Sequence, residues 1–326
     1  MMELKYVTTR TPLRISFFGG GTDFKNFYKD FSGKVISTTI NKYIYVTVKT
    51  QNFFYENYRL NYSSTERVND INKIQNKIIR ACLRYTKIRK KLYISTVSDI
   101  PDSTGLGSSS AFTVGLLKAL YKIKGINKNN QELAKIAAII EIKMLKSPIG
   151  IQDQYSCAVG GFNEISFLTN STVKITNLDK YLSIKKMLKN SSLVWTGNYK
   201  KSNLILKDQN KNVKKNTKFL KEMLETTSLI ASKIKRNNLS NKDFIFTLKK
   251  LWELKKKLSK KITNKNIERI IKSFYQYELG FKVLGAGGGG FIFVYGKKCK
   301  KILMKKKYKT IDVSNSLIGS KVIYEE

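Results

Sequence analysis

The feature that most constrains this chain is PDSTGLGSSSA, residues 101–111, because apolar residues at helical spacing follow it at once. Ala111, Phe112, Val114, Leu116, Leu117, Leu120 and Tyr121 form that run. A flexible linker leads into more polar sequence, whereas this segment leads into a helix with an apolar face. Glycine lets the backbone turn sharply and approach a ligand, and serine adds hydroxyl donors and oxygen ligands for a metal. The loop therefore ends where unpaired N–H groups and the helix dipole favour an anion. Gly105, Leu106, Gly107, Ser108, Ser109 and Ser110, with Pro101 at the entrance, read as a phosphate cradle; a structural turn is the alternative.

Other nucleotide signatures are absent or out of context. No G-x-x-x-x-G-K-[ST] occurs. GAGGGG at 285–290 fits G-x-G-x-x-G, but FIFVY follows where a dinucleotide fingerprint must open a helix. Those glycines, Gly287, Gly288 and Gly289 among them, read as a turn between strands that either another backbone or a phosphate approaches closely. Histidine is absent from all 326 residues, which removes Ser-His-Asp, Cys-His and His-ligated zinc chemistry and the H-R-D loop of protein kinases. Cys82, Cys157 and Cys299 stand far apart without metal-ligand spacing. Proton transfer must use Asp, Glu, Lys, Tyr or Cys, or the substrate itself.

The length suggests about two domains, and a hydrophobic content of 41% lets burial offset the entropy of ordering. A net charge of +39 fits nucleic acid, anionic lipid or phosphorylated small molecules. The lysines are scattered, however, and no basic segment carries interleaved aromatics as a stacking platform. A lysine-rich solvated surface accounts for the charge, and nucleic acid is not an expected partner. The first 16 residues have no apolar signal core, and no run of about 18 uncharged apolar residues occurs. Neither secretion nor membrane insertion is expected, and a cytoplasmic location follows.

The first half alternates strand-like and helix-like segments. KYVTTRTPLRISFF, KVISTTINKYIYVTVK and FFYENYRLNYS are β-branched and aromatic, INKIQNKIIRACLRY has helical periodicity, and KLYISTVSDI is a strand leading into the glycine–serine loop. A helix over Ser108–Lys122 follows, and the next opens at Asn129 with Glu132 three residues on, as in a capping box. GFNEISFL and STVKITNL pair as a hairpin. Beyond about residue 180, SSLVWTG is a strand, Ser202 to Ser273 is helical with breaks near Asn237 and Asn264, and KVLGAGGGGFIFVYG is strand–turn–strand. Two α+β domains result, residues 1–180 and 181–326.

Two further constellations carry chemistry. In RTPLRISFFGGGTDF, Arg14 lies within a strand that Gly19, Gly20 and Gly21 break just before Thr22 and Asp23. Arginine and aspartate flanking such a break can hold a polyhydroxylated ligand; an exposed arginine and a turn-initiating aspartate are the plainer reading. In EIKMLKSPIGIQDQY, Glu141 sits in a helix and Asp153 follows a Pro-Gly loop. Asp153 is then a general base, a metal ligand, or simply the N-cap of the next helix.

Taken together, an early P-L-R…G-G-G-T-D, P-x-x-x-G-L-G-S-S-S-A, a D-Q after a short glycine loop and a late G-A-G-G-G-G resemble the GHMP small-molecule kinases. The likeness covers essentially the whole chain, VWTGNYKKSNLIL and WELKKKLSKKI included, and is closest to sugar kinases related to D-glycero-D-manno-heptose 7-phosphate kinase. The resemblance implies an α+β fold with an N-terminal domain like ribosomal protein S5 domain 2 and a ferredoxin-like C-terminal domain. It implies ATP phosphates over Gly105–Ser110, Mg²⁺ held by Ser109 and Glu141, and Asp153 deprotonating the acceptor hydroxyl. It also implies Arg14 beside that hydroxyl and the transferring phosphate, and sugar binding at Gly20, Gly21, Thr22 and Asp23. Phosphoryl transfer needs alignment and charge neutralisation more than covalent help, so the missing histidine costs nothing.

Two departures bear on the substrate. Galactokinases carry an acidic-His pair where Gly20 and Gly21 stand, which argues against galactose. Heptose kinases usually have a small residue at Phe18 and a basic one at Ile151. The expected reaction is ATP- and Mg²⁺-dependent phosphorylation of an anomeric hydroxyl, with D-glycero-D-manno-heptose 7-phosphate as acceptor and the 1,7-bisphosphate as product. An unphosphorylated hexose or deoxyhexose is the alternative acceptor. If the acceptor carries a phosphate, Lys25, Arg59 and Arg67 are candidate cations for it.

Overall fold

A computed structural model of the chain describes residues 5–181, 184–199 and 202–326. The N-terminal half runs β1 (Tyr6–Phe18), α1 (Lys25–Phe31), β2 (Gly33–Thr50), β3 (Tyr58–Asn61), β4 (Thr65–Val68), α2 (Lys77–Thr86) and β5 (Leu92–Ser98). It continues through α3 (Ser108–Ile123), α4 (Asn130–Ala138), α5 (Gln152–Val159), β6 (Phe162–Phe167) and β7 (Val173–Asn177). The remainder runs α6 (Ile184–Lys189), β8 (Ser191–Trp195), α7 (Ser202–Lys211), α8 (Thr217–Lys235), α9 (Asn241–Lys257) and α10 (Lys265–Lys272). The chain then closes with β9 (Gly280–Val283), β10 (Phe291–Tyr295), α11 (Cys299–Lys305), β11 (Thr310–Ile311) and β12 (Lys321–Glu325).

β1 and β2 are long because Val, Ile, Thr and Tyr fill them, residues that suit a pleated surface. β2 serves two neighbours in turn: Gly33–Thr38 pair with β6 and Ile44–Thr50 with β5, both antiparallel. The first sheet follows the order β12-β1-β2-β5-β3-β4, with β6 and β7 branching from β2. α3 lies across β1 and β2, and Gly115 permits the close approach. A Cβ there would meet Thr11 Oγ1 at 2.8 Å, and Thr9 Oγ1 donates to the Gly115 carbonyl at 3.0 Å.

The second sheet is antiparallel with order β11-β8-β10-β9. In chain order that is fourth, first, third, second, the split β-α-β pattern of a ferredoxin-like domain. An aromatic cluster joins the layers: Phe17 of β1 lies 5.1 Å from Phe293 and 5.8 Å from Phe244, and Phe18 lies 5.0 Å from Phe244. Such pairs contribute about 0.5–1.5 kcal/mol each beyond area burial. Phe18 is wholly buried in this cluster, so its bulk belongs to the interlayer core. No helix among the described residues is long and apolar enough to cross a membrane.

Several expectations need correction. The final strand β12 returns to pair with β1, so residues 181–326 are not one contiguous unit; a division near residue 180 is proposed for the rest. FFYENYRLNYS is strand only over Tyr58–Asn61, after turns through residues 51–57. The helical stretch breaks also at 212–216, between α7 and α8. Lys200 and Lys201 of VWTGNYKKSNLIL, and residues 1–4 of the N-terminal segment, lie outside the described residues. INKIQNKIIRACLRY is α-helical only from Lys77, after a short 3-10 turn at Ile71–Lys73, whereas α3 opens at Ser108, Asn129 and Glu132 form a capping box, and β6 pairs antiparallel with β7 as read.

Candidate active site

The glycine–serine loop ends at Gly107, the N-cap of α3, with a φ of 81° that a side chain rarely adopts. A Cβ at Gly107 would crowd Arg14 Cγ at 3.2 Å, so the glycine brings the helix N-terminus against the Arg14 side chain. Arg14 is anchored from both directions. Its backbone N–H donates to the Leu106 carbonyl at 2.9 Å, and its Nη1 donates to the Gly105 carbonyl at 2.7 Å. The remaining guanidinium edge meets Asp153: Nε donates to Oδ1 at 2.8 Å and Nη2 to Oδ2 at 2.6 Å. Arg14 is 3% exposed and Asp153 26%, so the pair sits at the floor of a cleft with its acid facing out. This two-pronged geometry fixes both groups more tightly than a point contact would.

Asp153 is not an N-cap. Ile151 occupies that position of α5, and no side chain caps the helix there. Asp23 instead ties the turn after β1 to the start of α5. Its Oδ1 accepts from the Gly21 N–H at 2.9 Å and its Oδ2 from the Gln152 N–H at 3.3 Å. Gly150 makes room, since a Cβ there would lie 1.9 Å from Asp23 Oδ2. Burial, and then the nearby Asp153, push the Asp23 carboxyl above its ordinary pKa. Gly19, Gly20 and Gly21 all have positive φ, and they line the cleft together with Asp23. Thr22 does not face it: its hydroxyl donates to the Lys34 carbonyl at 3.0 Å and accepts from the Lys34 N–H at 3.2 Å.

Glu141 lies in a π-helical turn, Ile139–Met144, where Leu145 N–H reaches back to the Ile140 carbonyl. Such widened turns concentrate at functional positions. The carboxylate is 1% exposed and receives three donors: Ser109 Oγ at 2.7 Å, Ser110 Oγ at 2.9 Å and Gln154 Nε2 at 2.6 Å. Burial pushes its pKa up, partly offset by those hydrogen bonds. The Ser108 hydroxyl is buried at the first turn of α3 and has no partner among the described residues. An orphaned donor at a helix N-terminus, beside a charge-bearing oxygen ligand, suits a phosphate chain and its Mg²⁺.

The late glycine turn comes close to other backbone. A Cβ at Gly287 would lie 2.6 Å from the Ile262 carbonyl and one at Gly288 2.4 Å from Ile205 Cδ1. Gly290 and Phe291, not Gly287–Gly289, reach the loop: Phe291 N–H donates to the Thr104 carbonyl at 3.1 Å. Pro101 is exposed at the loop's entrance, and its carbonyl accepts from Thr104 Oγ1 at 3.1 Å. Arg59 and Arg67 pair across β3 and β4 near the far edge of the first sheet, and neither they nor Lys25 line the cleft.

Two cleft residues escaped the sequence reading. Lys255 of α9 donates to the Val283 carbonyl at 3.2 Å and to that of Gly285, and burial, followed by Arg14, lowers its pKa to about 7. Lys282 of β9 donates to the carbonyls of Ser16 at 3.1 Å and Phe17 at 2.9 Å, and burial holds its pKa well below the ordinary lysine value. The signal was present: Lys255 continues the buried stripe Phe244, Leu248, Leu251, and Lys282 interrupts an apolar strand.

Residues 72–161, which contain the loop, Glu141 and Asp153, match the family described as GHMP kinases N terminal domain. The chain thus carries a GHMP kinase N-terminal domain. It is an ATP-dependent phosphotransferase with an alcohol acceptor. The kinase is 29% identical to a D-glycero-alpha-D-manno-heptose 7-phosphate kinase of Campylobacter jejuni over 91% of each chain. Its fold matches a D-glycero-D-manno-heptose 1-phosphate kinase of Bacteroides thetaiotaomicron with a TM-score of 0.78 at 21% identity, over 98% and 99% of the chains. It also matches Methanococcus jannaschii mevalonate kinase with a TM-score of 0.72 at 20% identity, over 95% and 98%.

Proposed function

We propose that this kinase transfers the γ-phosphoryl group of ATP to the anomeric hydroxyl of D-glycero-α-D-manno-heptose 7-phosphate, giving the 1,7-bisphosphate and ADP, in the cytoplasm. The observation that carries the reading is the Arg14–Asp153 pair, closed on the Gly105 carbonyl at the mouth of the phosphate loop. An acceptor hydroxyl resting on Asp153 would lie beside the guanidinium and next to the helix N-terminus that favours phosphate. Asp153 takes the hydroxyl proton as the new O–P bond forms and the bond to ADP breaks. Arg14 holds Asp153 in place and stabilises charge on the phosphoryl oxygens. Ser109 and Glu141 would hold Mg²⁺, which supplies charge neutralisation on the phosphates when bound. Asp23, fixed by Gly21 and Gln152, presents its carboxylate edge to sugar hydroxyls.

The choice of acceptor rests on the likeness to the Campylobacter enzyme over nearly the whole chain. The test is an ADP-release screen of purified protein with ATP and Mg²⁺ across paired sugars and sugar phosphates. Turnover of heptose 7-phosphate with kcat/KM at least tenfold above free heptose, galactose and fucose is expected. A higher kcat/KM for an unphosphorylated sugar would replace the acceptor and leave the kinase chemistry standing.

A further inference from the structure

We propose that Lys255 is the residue that binds the phosphate already carried by the acceptor. This rests on the reading that the acceptor is a sugar phosphate. The cleft is walled by three basic side chains, Arg14, Lys255 and Lys282, and two acidic ones, Asp23 and Asp153. Buried charges persist only when they are paired or when a ligand completes them. Both prongs of Asp153 go to Arg14, and each Asp23 oxygen accepts one backbone N–H, with no lysine among its partners. Neither carboxylate forms an ion pair with either lysine, so both lysine side chains are held by backbone carbonyls and have no counter-ion in the cleft.

The two lysines differ in what they are bound to. Lys282 reaches from β9 to the Ser16 and Phe17 carbonyls at the end of β1, and so ties the second sheet to the first. Lys255 reaches only the Val283 and Gly285 carbonyls of its own domain, at the start of the glycine turn. An ammonium has three N–H donors. With two spent on carbonyls, Lys255 retains one for a group in the cleft that its side chain lines. A carbonyl pair leaves the Lys255 amine without a counter-ion, and an entering dianion would supply one and favour its protonated form. The expected cations Lys25, Arg59 and Arg67 do not line the cleft, and Arg14 is committed to Asp153. Lys282 retains a third donor as well, but it is committed to tying the second sheet to β1, which leaves Lys255 as the residue assigned to a phosphate.

The test compares heptose 7-phosphate with free heptose in the wild type, Lys255→Met and Lys255→Gln. Wild type is expected to prefer the phosphorylated sugar by 10- to 100-fold in kcat/KM. In both variants that preference should fall to less than threefold, through a raised KM for heptose 7-phosphate. A retained preference in the variants overturns the assignment while leaving the sugar-phosphate reading intact. Absence of any preference in the wild type removes the sugar-phosphate reading itself. An equal loss on both acceptors also overturns the proposal, because it places Lys255 on the transferred phosphoryl group or in the fold. Thermal shift supplies the check on folding: heptose 7-phosphate should raise the melting temperature of the wild type but not of the variants, whereas ATP with Mg²⁺ should raise all three.

Discussion

Replacing Asp153 with asparagine separates its chemical role from its role as the partner of Arg14. The amide keeps the shape and one acceptor oxygen, so Arg14 Nε retains its 2.8 Å bond to Oδ1. The other prong fails, because the new NH₂ group faces Arg14 Nη2, donor to donor, where Oδ2 stood at 2.6 Å. Removing one partner from a buried ion pair costs about 3–5 kcal/mol. The Asp153 side chain is 26% exposed, and solvent screens the charge left behind. A loss of about 2 kcal/mol, or a few degrees in Tm, is therefore expected. The chemical effect is larger: loss of a general base lowers kcat by about 10²–10⁴-fold, or roughly 3–5 kcal/mol of barrier. The two effects are separable by measuring kcat at saturating ATP and acceptor well below the melting transition, with folding checked by circular dichroism. The KM for ATP should change little, since the loop is still held through Arg14 to the Leu106 and Gly105 carbonyls. A folded variant with kcat within threefold of wild type would refute the base assignment and leave Asp153 as a counter-ion only.

Glu141→Gln removes a charge that burial already disfavours, so the metal-free variant should melt no lower than wild type at pH 8, while its activity should need more Mg²⁺. An unchanged Mg²⁺ midpoint would exclude Glu141 as a metal ligand. Gly150→Ala places a Cβ 1.9 Å from Asp23 Oδ2 and should displace that carboxylate, raising KM for the sugar by about 10-fold or more with KM for ATP little altered; steady-state kinetics in both substrates decide it. Lys255 binds its proton with a pKa of about 7 in the fold against 10.5 ordinarily, so between those values the unfolded chain holds a proton that the folded one lacks. Its contribution to stability accordingly rises with pH from about 7 to 10.5. Urea unfolding of wild type against Lys255→Met across pH 7–10 should show the wild type gaining on the variant, and parallel curves would contradict the depressed pKa.

Much of the site was legible because its residues carry local signals. The glycine–serine loop announced a helix N-terminus by the apolar run behind it, and α3 opens at Ser108 as read. The break after β1 was legible from three successive glycines, all of which take positive φ. What escaped was set by contacts distant in sequence. Nothing near Asp153 shows that its partner is Arg14, 139 residues earlier, and local pattern favoured an N-cap. Thr22 looked like part of a sugar-binding turn, yet its hydroxyl satisfies the backbone of β2. Lys255 sits in a lysine triplet that reads as solvated surface, and only its phase with Phe244, Leu248 and Leu251 marks it as buried. The return of β12 to β1 is equally non-local, since short terminal strands carry no mark of the sheet they will join.

The carboxylate proposed as the base in this histidine-free chain is held in place by its neighbours on both sides. Gln152 precedes Asp153 and is gripped from two sides. Its N–H donates to Asp23 Oδ2 at 3.3 Å and its Oε1 accepts from Ser16 Oγ at 2.8 Å. The Ser16 carbonyl in turn accepts from Lys282 of the second sheet at 3.1 Å. Opposite this chain, Gln154 follows Asp153 and donates to Glu141 Oε2 at 2.6 Å. Asp153 thus lies between two glutamines, one fixed to the turn after β1 and the other to the carboxylate proposed to hold the metal. Arg14 supplies the third constraint by binding Asp153 and the phosphate loop with a single rigid group. A displacement in any of these elements would be felt at Asp153, and transfer reactions of this kind lose rate steeply when the reacting groups are misplaced by about 1 Å. The Q-D-Q frame of Gln152, Asp153 and Gln154 therefore couples the turn after β1, the glycine–serine loop and Glu141, and its precision comes from hydrogen bonds that join both sheets.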